Sequence, residues 1–245
     1  MEKLEYRIQK RFVKAFATYQ LIEDGDRILV GLSGGKDSLC LLELLAKRAK
    51  IQHPKFEVEA LHVRISNIAY ETNTSYLQEF CNDLGVRLHI VTTSFEVNSE
   101  QDHQLQRKQK SPCFLCSWNR RKQLFLKAQE LNCNKIALGH HQDDIIHTAM
   151  LNIFFQGHFM TMPIRLKMRK MPITIIRPLC LEQEEDIQQW AAVRGYKKQV
   201  KYCPYEHNSY RTEMKLMFSK IEQFSSEARY SVWNALESEG KLIEE

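Results

Sequence analysis

The chain has 245 residues, 43% of them hydrophobic and 27% charged, with a formal net charge of +5. That length suits one generous domain with a real core, and 9 glycines and 6 prolines exclude collagenous or linker-rich classes. No apolar run approaches the roughly 20 residues of a membrane-spanning helix, and the start Met1-Glu2-Lys3-Leu4-Glu5 carries charge where a secretory signal places its apolar stretch. The expectation is a cytoplasmic protein with no membrane partner, whose seven cysteines do not form a disulfide framework.

Apolar periodicity predicts a helix over Leu4 to Leu21, ahead of the first strand, Arg27 to Leu32. A glycine turn and leucines at helical spacing from Leu39 to Ala46 follow. Phe56 to Ile65 reads as a second strand, Thr72 to Leu84 as a helix and Val86 to Thr92 as a third strand. A polar stretch, Ser94 to Ser111, reads as a long loop, and Pro112-Cys113 opens a helix to about Leu131. Then come a strand at Lys135 to Gly139, a helix from about Asp143 to Phe155, a strand at Ile173 to Ile176 and a helix from about Gln183 to Val193. Such alternation predicts an α/β fold with a mostly parallel sheet and helices on both faces. A single domain spanning 1–245 is expected, with an N-terminal helix over about 1–22 and a helical segment over about 212–245. Ligands of such sheets bind at the carboxyl ends of strands, here the loops Leu32–Ser38, Leu61–Asn67 and Gly139–Asp144.

The first loop, Gly31-Leu32-Ser33-Gly34-Gly35-Lys36-Asp37-Ser38, joins strand to helix. Its glycines let backbone N–H groups close around phosphate oxygens, and the helix N-terminus adds positive potential. Lys36 supplies a full charge; Ser33 and Ser38 supply hydroxyl donors. A Walker A loop needs Ser or Thr directly after Gly-Lys, whereas here Asp37 intervenes. A carboxylate beside a polyphosphate needs a bridging cation, so Asp37 implies Mg²⁺. A plain glycine turn with a helix cap would leave Lys36 and Asp37 unexplained.

Ser33 to Ser38 is similar to the signature of the PP-loop ATP pyrophosphatases. The resemblance implies a Rossmann-like fold that binds ATP through Ser33, Gly34, Gly35, Lys36, Asp37 and Ser38. It also implies cleavage between the α- and β-phosphates, which yields an adenylated substrate and pyrophosphate.

Cys113 and Cys116 lie one turn apart at a helix start, where the dipole favours thiolate. A lone C-x-x-C is shared by redox pairs, half zinc sites and iron–sulfur sites. Cys203, in a loop, is the best remaining ligand, while Cys40, Cys81, Cys133 and Cys180 read as buried structural thiols. Cys113-Phe114-Leu115-Cys116-Ser117-Trp118-Asn119-Arg120-Arg121 is followed by Gly139-His140-His141-Gln142-Asp143-Asp144, then by Ile176-Arg177-Pro178-Leu179, Cys203 and Arg211. In that order the run resembles the tRNA 2-thiocytidine synthetase family.

That resemblance implies a 4Fe-4S cluster on Cys113, Cys116 and Cys203. The family's third cysteine often has its own C-x-x-C, whose earlier position here is Val200. It further implies tRNA as partner, a sulfur donor (cysteine desulfurase or sulfide) and a homodimer. The reaction implied is attack of a cytidine C2 oxygen on the α-phosphate, followed by its replacement with sulfur. The nucleotide's adenine would lie near Leu61–Val63, including His62, and Gly139 would line the site. Asp143 or Asp144 would hold Mg²⁺ or assist proton transfer, with Lys36, Asp37 and Arg120 also catalytic. One of the two adjacent aspartates could instead cap the helix, and both are not expected to do so; His140 and His141 receive no proton-transfer role.

Basic stretches at Arg107–Lys110, Arg120–Lys122 and Arg165–Lys170 suit an RNA backbone, although each alone is ordinarily a solvated face. Phe114 and Trp118 read as core residues, with stacking on an unpaired base as the alternative. Two other functions are compatible with the motifs: another PP-loop tRNA-modifying ligase of thiouridine or lysidine type, and an RNA- and ATP-binding module without chemistry.

Overall fold

Strand β1 (Arg27–Gly31) is the axis of the fold. Successive strand residues point to opposite faces, so Ile28 and Val30 join one apolar cluster and Leu29 the other, all three wholly buried. Ala60 against Leu61, and Ala137 against Ile136, divide the same way. A strand covered on both faces needs this continuous apolar character.

The computed structural model describes residues 2–67, 72–94, 112–198 and 210–245. Around β1 stand β2 (Glu57–Ile65), β3 (Arg87–Thr93), β4 (Lys135–Ala137), β5 (Arg165–Lys167), β6 (Thr174–Ile176) and β7 (Ile243–Glu244), in the order β3-β2-β1-β4-β6-β5-β7. β1 to β4 and β6 run parallel, and β5 lies antiparallel to β6. The larger cluster packs α1 (Glu2–Tyr19), α2 (Lys36–Ala49), α3 (Thr74–Leu84), α5 (Gln142–Leu151), α6 (Glu184–Val193), α7 (Tyr210–Phe224) and α8 (Ala228–Ser238) on one side. On the other side lies α4 (Pro112–Glu130), over β2, β1 and β4. No helix among the described residues is long and apolar enough to cross a membrane.

The expected α/β architecture stands, with three local differences. The helix expected to reach Phe155 continues beyond α5 as a π-helical turn, Asn152–Gln156, which Gly157 ends at φ 67°. The stretch 212–242 divides into two helices before β7. Arg165–Lys170, read as a basic segment for RNA, instead begins with β5. Arg165 pairs with Glu245 at 2.8 Å and Arg169 with Glu244 at 3.8 Å. Lys167 pairs in register with Thr174 at the start of β6, so Met168 to Ile173 turn at the amino end of the parallel strands, remote from their carboxyl ends.

Chain order reverses between β1 and β4: β2 and β3 extend to one side of β1, while β4 returns to the other. The loops leaving these two neighbours part there and open a crevice at the carboxyl ends.

Candidate active site

The loop after β1 owes its shape to its glycines. Gly34 adopts φ 84°, a region costly for residues with a Cβ. Gly35 is the N-cap of α2, with no side-chain cap, which leaves the positive end of α2 to the cleft. The Ser33 hydroxyl accepts the Gly35 N–H at 3.3 Å and lies 3.1 Å from Ser38 Oγ, whose own hydroxyl donates to the Gly35 carbonyl at 2.9 Å. The second wall is the turn after β4. A Cβ built on Gly139 would stand 3.0 Å from the Asp37 carbonyl carbon and oxygen and 3.1 Å from Ser38 N. Only glycine lets this turn abut the start of α2.

Between them lies a cleft of about 450 Å³ lined by Ser33, Lys36, Asp37, Ser38, Gly139 and Asp144, together with His140, His141 and residues of α7. Lys36 Nζ is 2.9 Å from Asp37 Oδ1 and 3.3 Å from Glu184 Oε1. Burial disfavours the ammonium, but these two carboxylates outweigh it and raise the Lys36 pKa, keeping it charged. From α7, Arg211 reaches Asp144 at 3.5 Å and Lys215 reaches Glu184 at 2.7 Å. Glu184, Arg211 and Lys215 thus complete the charged lining. Sequence reasoning gave no role to Glu184 or Lys215; the spacing of four between Arg211 and Lys215, one helical turn, was the available signal.

The two aspartates divide their duties. The Asp144 carboxylate accepts the His141 N–H at 3.2 Å and faces the cleft. Asp143 accepts the Glu184 N–H at 2.8 Å, which caps α6, and pairs with Arg229 at 2.9 Å. Burial alone would raise its pKa, yet His141, Arg229 and the Glu184 N–H hold it well below the ordinary carboxylate range. Both carboxylates therefore serve helix starts, where at most one was expected to, and Asp143 is directed away from the cleft.

The adjacent histidines are opposites. His141 is buried with Asp37 at 3.8 Å, Asp143 at 3.4 Å and Asp144 at 3.5 Å. Burial works against its charge, but the three carboxylates prevail and raise its pKa. His140 meets a cation instead: Arg177 Nε donates to its Nδ1 at 3.3 Å. Burial and then Arg177 pull its pKa down to about 4.

A second cavity of about 160 Å³ shares Gly31, Ser33 and Leu138 with the first, and Leu61, His62, Val63 and Arg120 wall it. His62, 2% exposed, donates from Nδ1 to the Leu32 carbonyl at 2.7 Å. Its Nε2 is buried and has no hydrogen-bond partner among the described residues. Arg120 stands one turn after Cys116 on α4, so the helix that begins with the thiols forms a wall of this cavity.

Cys113 is exposed and Cys116 half-buried, its side chain against the apolar cluster under α4. Cys40, Cys81, Cys133 and Cys180 are buried, as expected of structural thiols. Among the described residues no three Cys, His, Asp or Glu side chains group as a metal site. Cys203 and Arg107–Lys110 lie outside the described residues. Phe114 and Trp118 correct the core reading. They are 47% and 50% exposed, and Lys122 Nζ stands 5.5 Å from the Trp118 ring. Their helix covers the sheet with Leu115, Leu124 and Phe125 instead.

A glycine-lined phosphate cradle at the switch point of a parallel sheet defines a nucleotide-binding α/β domain, and residues 2–202 match the family model of the PP-loop domain. The chain is 34% identical over 238 residues to tRNA-cytidine(32) 2-sulfurtransferase of Pseudomonas putida (strain W619), covering 96% of this chain and 85% of the relative. It is 34% identical over 242 residues to tRNA-cytidine(32) 2-sulfurtransferase 1 of Francisella tularensis (strain WY96-3418), with 96% and 87% covered. The chain belongs to the PP-loop family, in its tRNA-cytidine(32) 2-sulfurtransferase branch. The fold is also that of the U34-tRNA thiolase NcsA from Methanococcus maripaludis, solved with its [4Fe-4S] cluster. That likeness has a TM-score of 0.76 at 24% identity, over 97% of this chain and 78% of that one.

Proposed function

We propose that the chain is an ATP-dependent tRNA thiolase of the cytoplasm that converts an anticodon-loop cytidine to 2-thiocytidine. One observation carries the reading: the helix that starts with Cys113 and Cys116 walls the nucleotide cavity through Arg120. Activation and sulfur delivery can therefore meet at one base.

ATP fits the residues present. The buried, unpartnered Nε2 of His62 is an acceptor suited to an adenine amino group. The cradle of Ser33, Gly34, Gly35 and Ser38, with the uncapped end of α2, suits the phosphates. Lys36, Arg211 and Lys215 neutralise the leaving pyrophosphate and exchange their carboxylate partners for it. Mg²⁺ is commonly held by one or two carboxylates plus substrate phosphates. Asp37 and Asp144, each within 4 Å of His141 Nε2, supply that set, while Asp143 positions the turn.

Adenylation turns a poor leaving oxygen at C2 of the base into the phosphate oxygen of AMP. Lys36 and Arg120 stabilise charge at the α-phosphate during attack, and sulfur then displaces AMP. Two exposed or half-exposed thiols at a helix start fit an iron–sulfur cluster, with Cys203 as third ligand, and such a cluster would carry the sulfur. Trp118 and Phe114, exposed beside Lys122, offer a stacking surface for the splayed base. The donor is a cysteine desulfurase or sulfide, and a homodimer is the expected assembly.

A deletion strain tests the whole. It is expected to lose 2-thiocytidine from tRNA and to regain it with this gene but not with a Cys203→Ala version; undiminished 2-thiocytidine in the deletion would refute the proposal. Anaerobically purified protein is expected to hold iron and sulfide, and a colourless, iron-free protein would favour a ligase that attaches an amine.

A further inference from the structure

The turn after β4 sets two histidines side by side, and nothing in the activity proposed above uses the first. His140 lines the cleft. Its Nδ1 lies 3.3 Å from Arg177 Nε. A guanidinium donates hydrogen bonds and accepts none, so Nδ1 must present a lone pair. In a neutral imidazole the single proton is then on Nε2.

The arrangement is rigid on the far side as well. Arg177 is buried at the end of β6, with its Nη1 donating to the Pro163 carbonyl and its backbone N–H to the Ile164 carbonyl. On the near side, Gly139 holds the turn against the backbone of Asp37 and Ser38. The charged groups acting on His140 are Arg177, Arg211 and His141, opposed by Asp144. Burial and the Arg177 guanidinium outweigh the Asp144 carboxylate, and the ring stays neutral at physiological pH.

The geometry points to His140 as a fixed hydrogen-bond donor, through Nε2–H, to an α-phosphate oxygen of the bound nucleotide, with Arg177 as the positioning residue that sets its tautomer. The α-phosphate is assigned because the two cavities meet at Gly31, Ser33 and Leu138, and Leu138 is two residues before His140. The adenine side opens beyond that junction and the pyrophosphate side lies toward Lys36 and α7. The proton remains on Nε2 throughout. A neutral donor stabilises the equatorial oxygens during adenylation and the phosphate oxygen that leaves as AMP. An imidazolium at the same place would be acidic enough to protonate an incoming sulfide, whereas neutral imidazole is not.

This role rests on the nucleotide-activating reading of the cleft, and the experiment separates the two. The full chain, labelled with ¹⁵N-histidine, is observed by NMR with Mg²⁺ and a non-hydrolysable ATP analogue. His140 is expected to show a protonated Nε2 and bare Nδ1, unchanged from about pH 6 to 8, with the Nε2 proton shifting when the analogue binds. A protonated Nδ1, a charged ring in that interval, or a proton indifferent to nucleotide would overturn the assignment.

His140→Ala is expected to lower kcat for tRNA-dependent AMP formation by about 100-fold with little change in KM for ATP. His140→Gln, which restores an N–H near Nε2, should recover most of the loss; equal defects in the two variants would also overturn it. In Arg177→Met the Nδ1–H tautomer should appear, and its absence in a folded variant would remove Arg177 from the assignment. If the protein turned out not to thiolate tRNA, the nucleotide-dependent Nε2 signal would persist while 2-thiocytidine stayed absent.

Discussion

The two ends of the proposed reaction are built differently. The phosphate cradle is braced from every side: Gly139 against the start of α2, Asp143 on α6 and α8, and Arg211 and Lys215 reaching in from α7. The thiol end of α4 is open, with Cys113 exposed and Phe114 and Trp118 about half exposed. Charge stabilisation requires donors fixed before the transition state arrives, which the braced end supplies. On the proposed reading this end must admit a folded RNA and a sulfur donor, and so it has to stay accessible. The difference predicts that damage at the two ends will be separable.

The largest effect is expected from Lys36→Ala. Removing the ammonium leaves Asp37 and Glu184 facing polyphosphate without their shared cation, and AMP formation should fall by about 10²–10³-fold. Thiolation would go with it. A variant retaining most pyrophosphate release would break the assignment of the cradle. Cys113→Ala should abolish 2-thiocytidine and iron binding equally completely, while the KM for ATP is unchanged. Because this side chain is exposed, the stability of the cluster-free protein should move by no more than about 0.5 kcal/mol. Parallel loss of ATP binding and of sulfur transfer in this variant would mean that the two regions are one cooperative unit.

A gentler way to sharpen the contrast is Gly139→Ala. The added methyl meets backbone atoms at 3.0–3.1 Å, which cannot swing aside as a side chain does. Separating the turn from α2 should cost about 1–3 kcal/mol and raise the KM for ATP more than it lowers kcat. Thermal denaturation and a nucleotide titration check both parts, and an unshifted Tm would show that the turn has slack.

What the sequence revealed depended on how local the physics was. Ser33 to Ser38 was legible because a left-handed glycine and an uncapped helix start are properties of a few consecutive residues. Cys113 and Cys116 were legible through a spacing of one turn. Glu184 and Lys215 belong to helices far apart in the chain, and their pairing exists only once α6 and α7 pack beside α2. Asp143 and Asp144 are chemically identical neighbours; Arg229, 85 or more residues away, decides which of them turns from the cleft. β5 and β7, three and two residues long, are too short to show an alternation. Trp118 and Phe114 look like core residues by type, but α4 already meets the sheet with its other face.

The smallest predicted effect concerns a carboxylate behind the cradle. The Glu182 carbonyl accepts the Gln142 N–H at 2.9 Å, tying the turn after β4 to the start of α6. Its side chain is 0% exposed, neither oxygen has a hydrogen-bond partner among the described residues, and Arg11 stands at 3.7 Å while binding Asp186 at 2.5 Å. Burial, against the opposing pull of Arg11, pushes its pKa up to about 8. The folded state therefore holds this proton more tightly than the unfolded chain, where the group titrates near 4.5. Its contribution to stability is complete below that lower value and is lost as pH rises through about 8. Glu182→Gln keeps the shape and removes the titration. The variant should gain on the wild type steadily as pH rises from 6 to about 8 and no further above it. Denaturant midpoints measured across that range check the slope. A difference that stayed constant with pH would show that Glu182 remains ionised beside Arg11, and that the braced region tolerates a buried charge after all.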